Sequence, residues 1–286
     1  MSKIFFYIMV VAVALMTACD KNEFNSGKIT MTTQRSGNMF FQIGSSGSIT
    51  IDWGDGIKET HKINAFTTID EWDAHSSVKW IYRHTYSESS IHEIIITGEN
   101  ITHLYCCENE LLTLDVSKNT KLKYLACNPN YLTELNVSGA SSLSNLYCDN
   151  NQLTSLDVSS NKELKILGCH YNQLTDLDIS KNTMLTNLYC LSNQLTKLDV
   201  SRNPALIMIY ANRNQLTELD LSHNNSLELI NCDSNQLTTE ALNALFESLV
   251  ENTDVRLTKT IYVRSNPGTD DCNKSIAENK GWLFIF

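Results

Sequence analysis

A repeat of 21 residues constrains this chain more than any other feature of its sequence. Six copies of the pattern LxxLxCxxNxLTxLDVSxNxx run from Ile101 to Asn225 or Ser226, and a seventh half-copy follows them. One coil of this length cannot bury its own apolar side chains, whereas stacked coils share a continuous core. The period therefore predicts a solenoid of about seven rungs over residues 100–236.

Three rows of residues recur at fixed repeat positions and predict the interior of the solenoid. They are the apolar row Leu104, Leu125, Leu146, Leu167, Leu188, Ile209 and Ile230, the apolar row Leu114, Leu135, Leu156, Leu177, Leu198 and Leu219, and the asparagine row Asn109, Asn130, Asn151, Asn172, Asn193, Asn214 and Asn235. Side chains of a strand alternate between its two faces, so Leu125 and Cys127 are predicted to point inward and Ala126 outward. The asparagine amides are predicted to satisfy backbone groups inside each coil.

The pattern resembles the leucine-rich repeat family, in which LxxLxLxxNxL forms a strand followed by a turn. Here Cys replaces the middle Leu in most copies, and LTxLDVSxN repeats the same spacing, as in a short bacterial subclass with two nested half-repeats. The sequence also resembles repeat lipoproteins of gut bacteria and, more distantly, internalin-type adhesins. This resemblance implies a mainly β solenoid, with extended backbone on both sides, that binds a ligand at the cell surface.

The first residues are typical of an export signal. Lys3 is followed by the apolar stretch Ile4 to Met16, which is too short to span a membrane. Thr17, Ala18 and Cys19 resemble a bacterial lipoprotein cleavage box, which implies a signal peptide over 1–18, acylation of Cys19 and a flexible tether over 19–27. An ordinary cleaved signal with a free Cys19 is the alternative. The expected location is the bacterial outer membrane or cell surface, with the membrane contacted through the lipid.

Residues 28–99 are predicted to form a separate unit of short strands. The segments Ile49 to Gly56 and His84 to Ser87 resemble the WxFGDG and HxY signatures of PKD-type β-sandwich domains. Asp52 and Asp55 lie in the first segment and are compatible with calcium. An aspartate in such a turn more often bonds nearby backbone amides, and that interpretation is favoured.

Residues 237–286 are predicted to form a cap over the exposed end of the solenoid core. A helix is predicted after an N-cap at Thr238 or Thr239, with apolar residues at helical spacing up to Val250. A strand over 260–263, a turn over 266–268, a short helix over 275–279 and a final strand over 282–286 complete the predicted cap.

Six cysteines recur at the inward consensus position, namely Cys106, Cys127, Cys148, Cys169, Cys190 and Cys232. Buried cysteine acts as a small hydrophobe, and its protonated thiol is inert. A zinc site gathers four ligands in one tetrahedron, whereas this ladder spreads one thiol over each rung. We therefore predict structural cysteines and no metal site. A disulfide between Cys232 and Cys272 is left open.

A second regular row is mostly acidic and contains Asp115, Asn136, Asp157, Asp178, Asp199 and Asp220. Water and salt screen much of the repulsion between such outward charges. A solvated face whose carboxylates bond neighbouring Ser or Thr is favoured over a strip that binds cations.

The outward positions of the repeat strands vary from copy to copy, and four of seven middle positions are tyrosine. The expected ligand-binding residues on this predicted concave face are Tyr105, Tyr124, Tyr147, His170, Tyr171, Tyr189, Tyr210 and Arg213. Aromatic side chains with polar tips are enriched at binding sites. Tyrosine is also a good strand residue, so stacking that merely stabilises the sheet is an equal alternative.

These features favour a non-catalytic binding module over an enzyme. The sequence contains no GxSxG or HExxH motif, and it has no paired carboxylates outside the repeat scaffold, so no catalytic residue, cofactor or metal is predicted. The formal net charge of −10 argues against a nucleic-acid partner. The expected ligand is a protein or a glycan. A structural envelope protein without a specific ligand is the alternative, and a hydrolase is disfavoured.

Overall fold

The structure is a computed structural model that describes residues 27–63, 81–254 and 256–285. The predicted signal peptide, the acylated Cys19 and nearly all of the tether therefore lie outside the described residues. No helix in the described part of the chain is long and apolar enough to cross a membrane.

Six strands precede the repeats: β1 (Gly27–Thr33), β2 (Gly37–Gly44), β3 (Gly47–Asp52), β4 (Lys58–Ile63), β5 (Ile81–Tyr86) and β6 (His92–Gly98). Strands β1, β6, β3 and β4 lie in one sheet, and β2 and β5 lie in another. Between the sheets the Phe41 ring stacks on Trp53 with centroids 4.9 Å apart, and Tyr82 lies 6.1 Å from Phe41. All three side chains are buried, so these strands enclose a core.

Short strands at the 21-residue spacing form the repeats. In chain order the described strands are β7 (His103–Tyr105), β8 (Leu111–Asp115), β9 (Tyr124–Ala126), β10 (Glu134–Asn136), β11 (Asn145–Tyr147), β12 (Ile166–Gly168), β13 (Asn187–Tyr189), β14 (Met208–Tyr210) and β15 (Leu229–Asn231). Strands β7, β9 and β11 to β15 pair with one another in parallel and in register, so that Leu146 lies beside Leu125 and Leu167. We call these seven strands the repeat sheet. Strands β8 and β10 lie in the other sheet. The expected mainly β solenoid is confirmed.

The six N-terminal strands do not form the separate unit that the sequence predicted. Strand β2 pairs with β7 and extends the repeat sheet, while β1 pairs with β8 and extends the sheet on the other side. Both sheets therefore run from the N-terminal strands into the first rungs, and the buried apolar residues form one continuous core. The resemblance to PKD-type domains stays a prediction.

Inside the rungs, the predicted inward positions are buried. Leu125 and Cys127 are both fully buried. Ala126, predicted to point outward, is only 2% exposed. Its neighbours in register are Tyr105 and Tyr147, and a methyl group is too short to extend beyond these rings. The alternation is correct here, but the small outward residue is covered.

Asparagine side chains connect successive rungs as predicted. The Nδ2 of Asn172 donates to the carbonyls of Cys169 and Cys148, each at 3.0 Å, and its Oδ1 accepts from the Leu153 amide at 2.9 Å. One side chain thus satisfies three buried backbone groups on two rungs. A second buried row of asparagines, not among the predicted interior rows, contains Asn119, Asn161, Asn182, Asn203 and Asn224.

The second half of each repeat departs from the expected extended backbone. Only β8 and β10 form strand pairs on that side among the described repeats, with β10 parallel to β8. In later copies the Asp at this position accepts a hydrogen bond from the backbone amide two residues on, as Asp178 does from Ser180 at 2.8 Å. Such local bonds favour turns over strands.

The predicted C-terminal cap elements are present. Helix α1 (Thr239–Ser248) begins after Thr238, whose hydroxyl accepts from the Ala241 amide at 3.3 Å. Strand β16 (Lys259–Tyr262), helix α2 (Ser275–Asn279) and strand β17 (Trp282–Ile285) follow. The sequence did not indicate that β16 and β17 pair in parallel with the repeat sheet and continue it.

Candidate functional site

The outward side of the repeat sheet carries three rows of side chains, because every second residue of each strand and its extension points away from the core. The first row is His103, Tyr124, Asn145, Ile166, Asn187, Met208 and Leu229. The middle row is Tyr105, Ala126, Tyr147, Gly168, Tyr189, Tyr210 and Asn231. The third row is Cys107, Asn128, Asp149, His170, Leu191, Asn212 and Asp233.

The tyrosines of this face are half-buried, and four of them form ring contacts in two pairs. The Tyr189 and Tyr210 rings stack with centroids 5.4 Å apart and an angle of 22° between their planes. Tyr124 lies 5.6 Å from Tyr147, and burial raises the pKa of the Tyr124 phenol to about 12. The rings brace neighbouring rungs and still present part of their surface outward, so the two expected roles of these tyrosines are compatible.

Asp149 is the centre of a polar cluster on this face. Its side chain is only 6% exposed, and its Oδ2 accepts hydrogen bonds from Asn128 Nδ2 at 2.9 Å and from Asn150 Nδ2 at 2.8 Å. The Nε2 of His170 lies 3.4 Å from the same oxygen. Burial lowers the pKa of His170, and the nearby Asp149 charge opposes that shift in part. The His170 ring is therefore neutral near pH 7.

Asp233 occupies the same repeat position as Asp149, four rungs further on, but it has a different partner. Its Oδ1 accepts from the Arg264 backbone amide at 2.6 Å, and the Arg264 guanidinium lies 3.6 Å from its Oδ2. A permanent cation therefore balances Asp233. Asp149 is instead surrounded by two neutral amides and a neutral imidazole.

Tyr171 and Arg213 lie at the edge of the face rather than on it. They are the turn residues directly before the buried asparagines Asn172 and Asn214, and their φ values are 51° and 57°. In other rungs the same turn position also has a positive φ, and the residues there are Glu108, Asn150, Ser192 and Ser234. The Tyr171 side chain is 46% exposed, and its ring lies 5.5 Å from His170.

The structure thus brings six of the eight expected residues onto the three outward rows, at Tyr105, Tyr124, Tyr147, His170, Tyr189 and Tyr210. The repeat pattern does not indicate Asp149 or Asn128 as site residues, because a contact in the third row between different residue types leaves no periodic signal. Gly168 is visible in the sequence as one of three middle-row residues that are not tyrosine, but the sequence alone does not indicate that it belongs to a site.

The acidic row on the other side of the solenoid is a row of turn caps. Asp157, Asp199 and Asp220 accept from the amide two residues ahead at 2.9 Å, as Asp178 does at 2.8 Å. Hydrogen bonds from the Ser two residues ahead lower the pKa of each of these carboxyl groups. Two cavities of about 810 and 310 Å³ lie along this side, the larger one against helix α1.

The cysteine ladder lies in the core, and all eight described cysteines are buried and free. Burial raises the pKa of every ladder thiol, that of Cys190 to about 12. Cys232 donates to the Tyr262 carbonyl and Cys272 to the Thr269 carbonyl, so the pair left open in the sequence is not joined. In the ranges that the structure describes, no group of three or more His, Cys, Asp or Glu side chains is placed to hold a metal ion.

In the N-terminal strands, the two turn aspartates bond nearby amides as favoured. Asp52 accepts from the Gly54 amide at 3.2 Å, and Asp55 accepts from the Ile57 amide at 3.1 Å. Basic side chains contact the other carboxylate oxygens, with Lys58 2.9 Å from Asp52 and His84 2.7 Å from Asp55. These carboxylates are thus engaged within the protein.

Three solved structures of bacterial proteins are similar to this chain. The functional domain of InlJ from Listeria monocytogenes, which includes a cysteine ladder, is 30% identical with a TM-score of 0.45, and the match covers 68% of this chain and 50% of that one. A leucine-rich repeat protein of Leptospira interrogans is 22% identical with a TM-score of 0.48, covering 60% and 50%. An internalin, InlF, from Listeria monocytogenes is 20% identical with a TM-score of 0.46, covering 64% and 59%.

This chain thus spans between 50% and 59% of the length of these three structures. No protein-family model matches the sequence, and no curated protein matches it significantly.

Proposed function

We propose that this chain is a non-catalytic protein-binding module whose binding surface is the outward side of the repeat sheet. The observation that carries the proposal is the contrast between the two sides of the same strands. Inward residues are nearly identical in every rung, whereas outward residues vary and include half-buried aromatic and aliphatic side chains. The packing of the core requires the inward residues. It does not require particular outward residues, which are therefore free to recognise a partner.

The shape and composition of this side support a macromolecular partner. Half-buried Ile166, Met208 and Leu229 lie in the row next to the stacked Tyr189 and Tyr210 rings. Seven parallel strands spaced about 4.8 Å apart present a surface about 30 Å long. That breadth suits a protein interface of ordinary size, which covers about 800 Å² on each partner, better than it suits a small molecule. Tyrosine and Met are also enriched in protein interfaces.

Replacing Tyr147 and Tyr189 by Ser tests this function. We expect each change to weaken binding of a captured partner by about 1 to 3 kcal/mol, the range of an interface anchor. The measurement is quantitative capture of surface proteins by the full chain, followed by affinity measurement with the partner that the wild type enriches. The same bait is applied to a glycan array.

The matched control is the double variant Asp178→Asn and Asp199→Asn. Asn136 already occupies this position and accepts the same turn hydrogen bond, so the control removes charge on the other side without removing a cap. Loss of binding in the control with retention in the tyrosine variant would place the interface on the acidic row. A lowered melting temperature with unchanged affinity would reduce the tyrosines to sheet bracing, and exclusive glycan binding would exclude a protein ligand.

We also propose that the module is anchored to the bacterial outer membrane or cell surface through a lipid on Cys19. The support is the apolar segment Ile4 to Met16 followed by Thr17, Ala18 and Cys19. Acyl chains stabilise membrane attachment by about 0.8 kcal/mol for each buried CH₂ group, and more than one chain is needed for stable anchoring.

Cys19→Ala is expected to move the protein from the membrane fraction to the soluble fraction. Cys272→Ala is the control, because Cys272 is a free thiol in the cap and its loss leaves any lipid signal intact. Mass spectrometry of the wild-type N-terminal peptide measures the acyl mass. Membrane partition that survives Cys19→Ala, with no acyl mass on the wild type, would refute lipid anchoring and leave the binding proposal standing.

A further inference from the structure

In the middle row of the outward side, Gly168 is the residue without a side chain, and the backbone gives no reason for a glycine there. Gly168 ends strand β12 and pairs in register with Tyr147 on one side and Tyr189 on the other. Its φ lies outside the left-handed region, unlike those of Gly37, Gly47, Gly54, Gly56 and Gly281. Glycine inside a strand weakens the strand and often marks a place where a ligand approaches closely.

Sterics do not demand this glycine either. A Cβ on Gly168 would lie 3.2 Å from Cδ1 of the Tyr147 ring and 3.6 Å from Asp149 Oδ1. The closer contact is to a side-chain ring, and a shift of a few tenths of an ångström relieves it. Four other rungs carry tyrosine at this position. Gly168 itself is buried, and because it has no side chain its own rung adds nothing between the rings of Tyr147 and Tyr189. We call this space between the two rings the notch.

Asp149 presents one carboxylate oxygen to this notch. Both amide donors and the His170 ring are grouped around Oδ2, whereas Oδ1 is the oxygen 3.6 Å from the position of a Gly168 Cβ. The three contacts hold a carboxylate that has little freedom to rotate, since its side chain is 94% buried. Oδ1 is thus a fixed acceptor at the wall of the notch.

The charge of this carboxylate is unbalanced within the protein. In the described part of the chain, the one basic side chain in contact with Asp149 is His170, and burial keeps that ring neutral near pH 7. The equivalent Asp233 has Arg264 beside it. A buried charge is costly without a partner of opposite sign, so a cation at Oδ1 is stabilised there.

From these observations we infer that the notch over Gly168 receives a basic side chain, a lysine ammonium or an arginine guanidinium, of the protein partner. Asp149 Oδ1 accepts its hydrogen bond, and the rings of Tyr147 and Tyr189 flank its alkyl stem and charged head. Aromatic faces attract such cations and tyrosine is among the rings that do so. The inference rests on the proposed protein-binding function and names the chemistry that one part of the surface recognises. The net charge of −10 also favours a basic partner.

The test uses the full chain with ¹³C-labelled tyrosine rings and two small probes, acetyl-Gly-Lys-Gly-amide and its neutral counterpart acetyl-Gly-Gln-Gly-amide. We expect the lysine probe to shift the ring signals of Tyr147 and Tyr189 in a saturable manner. The glutamine probe is expected to leave them in place. Asp149→Asn, which keeps the size of the side chain and removes its charge, is expected to weaken the lysine probe at least tenfold.

Two further variants separate recognition from folding. Gly168→Tyr fills the notch with the residue that four other rungs carry, so it is expected to weaken the probe at least tenfold without lowering the melting temperature. Asp233→Asn removes the equivalent charge four rungs away and is expected to bind the probe as the wild type does. Loss of binding in both Gly168→Tyr and Asp149→Asn supports the inference even where Asp149→Asn alone is less stable.

Other results overturn the inference. Equal shifts with the glutamine probe, or full binding by Asp149→Asn, would show that the notch does not select a cation. Shifts of the same rings by diacetylchitobiose, with none by the lysine probe, would assign the notch to a sugar. If Asp149→Asn keeps the captured protein partner while Tyr147→Ser and Tyr189→Ser lose it, the notch inference fails and the proposed function stands.

Discussion

His103 shows how position in the first rung sets the charge of a side chain. It opens strand β7 and is 7% exposed, and its Nδ1 forms a 2.9 Å hydrogen bond with the Thr102 hydroxyl. Burial, with a smaller contribution from the Lys123 charge, lowers the pKa of His103 from 6.5 to about 4. The folded protein therefore holds this imidazole neutral at pH values where the unfolded chain protonates it.

This shift predicts a loss of stability in mild acid. The folded-state pKa is below the unfolded value, so the stabilisation is fully present above pH 6.5 and is lost as the pH falls towards about 4. At about 1.4 kcal/mol per pKa unit the loss is at most about 3.5 kcal/mol, and solvent screening lowers the expected loss to about 1 to 3 kcal/mol. The measurement is the free energy of unfolding in urea at pH 7 and pH 4.5.

His103→Asn is expected to flatten that pH dependence, because Asn145 and Asn187 occupy the same repeat position and the framework accepts the residue. His223→Asn, at an exposed turn, is the control and should leave the dependence unchanged. A pH dependence that is identical in the wild type and His103→Asn would contradict the assignment to His103.

Also at the residue scale, the candidate site was only partly predictable from the sequence. The middle-row tyrosines were predicted, because they depart from a repeat whose other positions are fixed. The Asp149 cluster was not, because Asn128 and Asp149 follow no common residue type, and Asn150 lies in a turn. To predict contacts between unlike residues on adjacent rungs, the register of the sheet must be known. That register can be assigned to the sequence only once the fold is known.

At the element scale, the 21-residue period predicts where the strands of the repeat sheet form. It does not predict whether the second halves of successive repeats pair with one another as strands. The inward Leu and Cys residues recur at fixed positions of the repeat. Stacking the rungs to bury them therefore permits only one alignment of the strands. In the second half of the first repeat, Asp115 belongs to strand β8. It nevertheless accepts a hydrogen bond from the Ser117 amide, as the aspartates at the same position in later repeats do from their own turns. Strand β8 differs because β1 pairs with it and supplies backbone partners.

Strand pairing on that side persists for one more rung, to β10, and stops in the described repeats beyond it. The turn hydrogen bond of each Asp offers its backbone an alternative to the sheet, so without a neighbouring strand the turn prevails. A repeat pattern contains no information about the strands that precede its first copy. For this reason the difference between early and late rungs could not be predicted from the period.

At the scale of the whole molecule, the N-terminal strands and the repeats share both sheets and one core. Ile43 of β2 pairs with Leu104 of β7, and Met31 of β1 pairs with Leu114 of β8. All four residues are at most 2% exposed. The first rung is therefore covered by strands that continue its own sheets, which protects the core end that a solenoid would otherwise expose.

This continuity predicts that the N-terminal strands and the repeats unfold together. In the Trp282→Phe background the remaining tryptophans, Trp53, Trp72 and Trp80, all precede the repeats, so their fluorescence reports on the N-terminal part and circular dichroism reports largely on the repeats. We expect one urea midpoint for both signals. Ile43→Ala removes a fully buried side chain at the junction and is expected to cost about 2 to 5 kcal/mol and to move both midpoints equally.

The control for this experiment is Ile57→Ala. Ile57 is half exposed and lies outside the junction, so both midpoints should stay in place. A separate domain joined by a linker gives a different result, since Ile43→Ala would then lower only the fluorescence midpoint and leave the repeats at their original stability. Two distinct midpoints in the parent would already contradict a shared core, because a boundary that the sheets cross cannot open on one side while its partner strands stay paired.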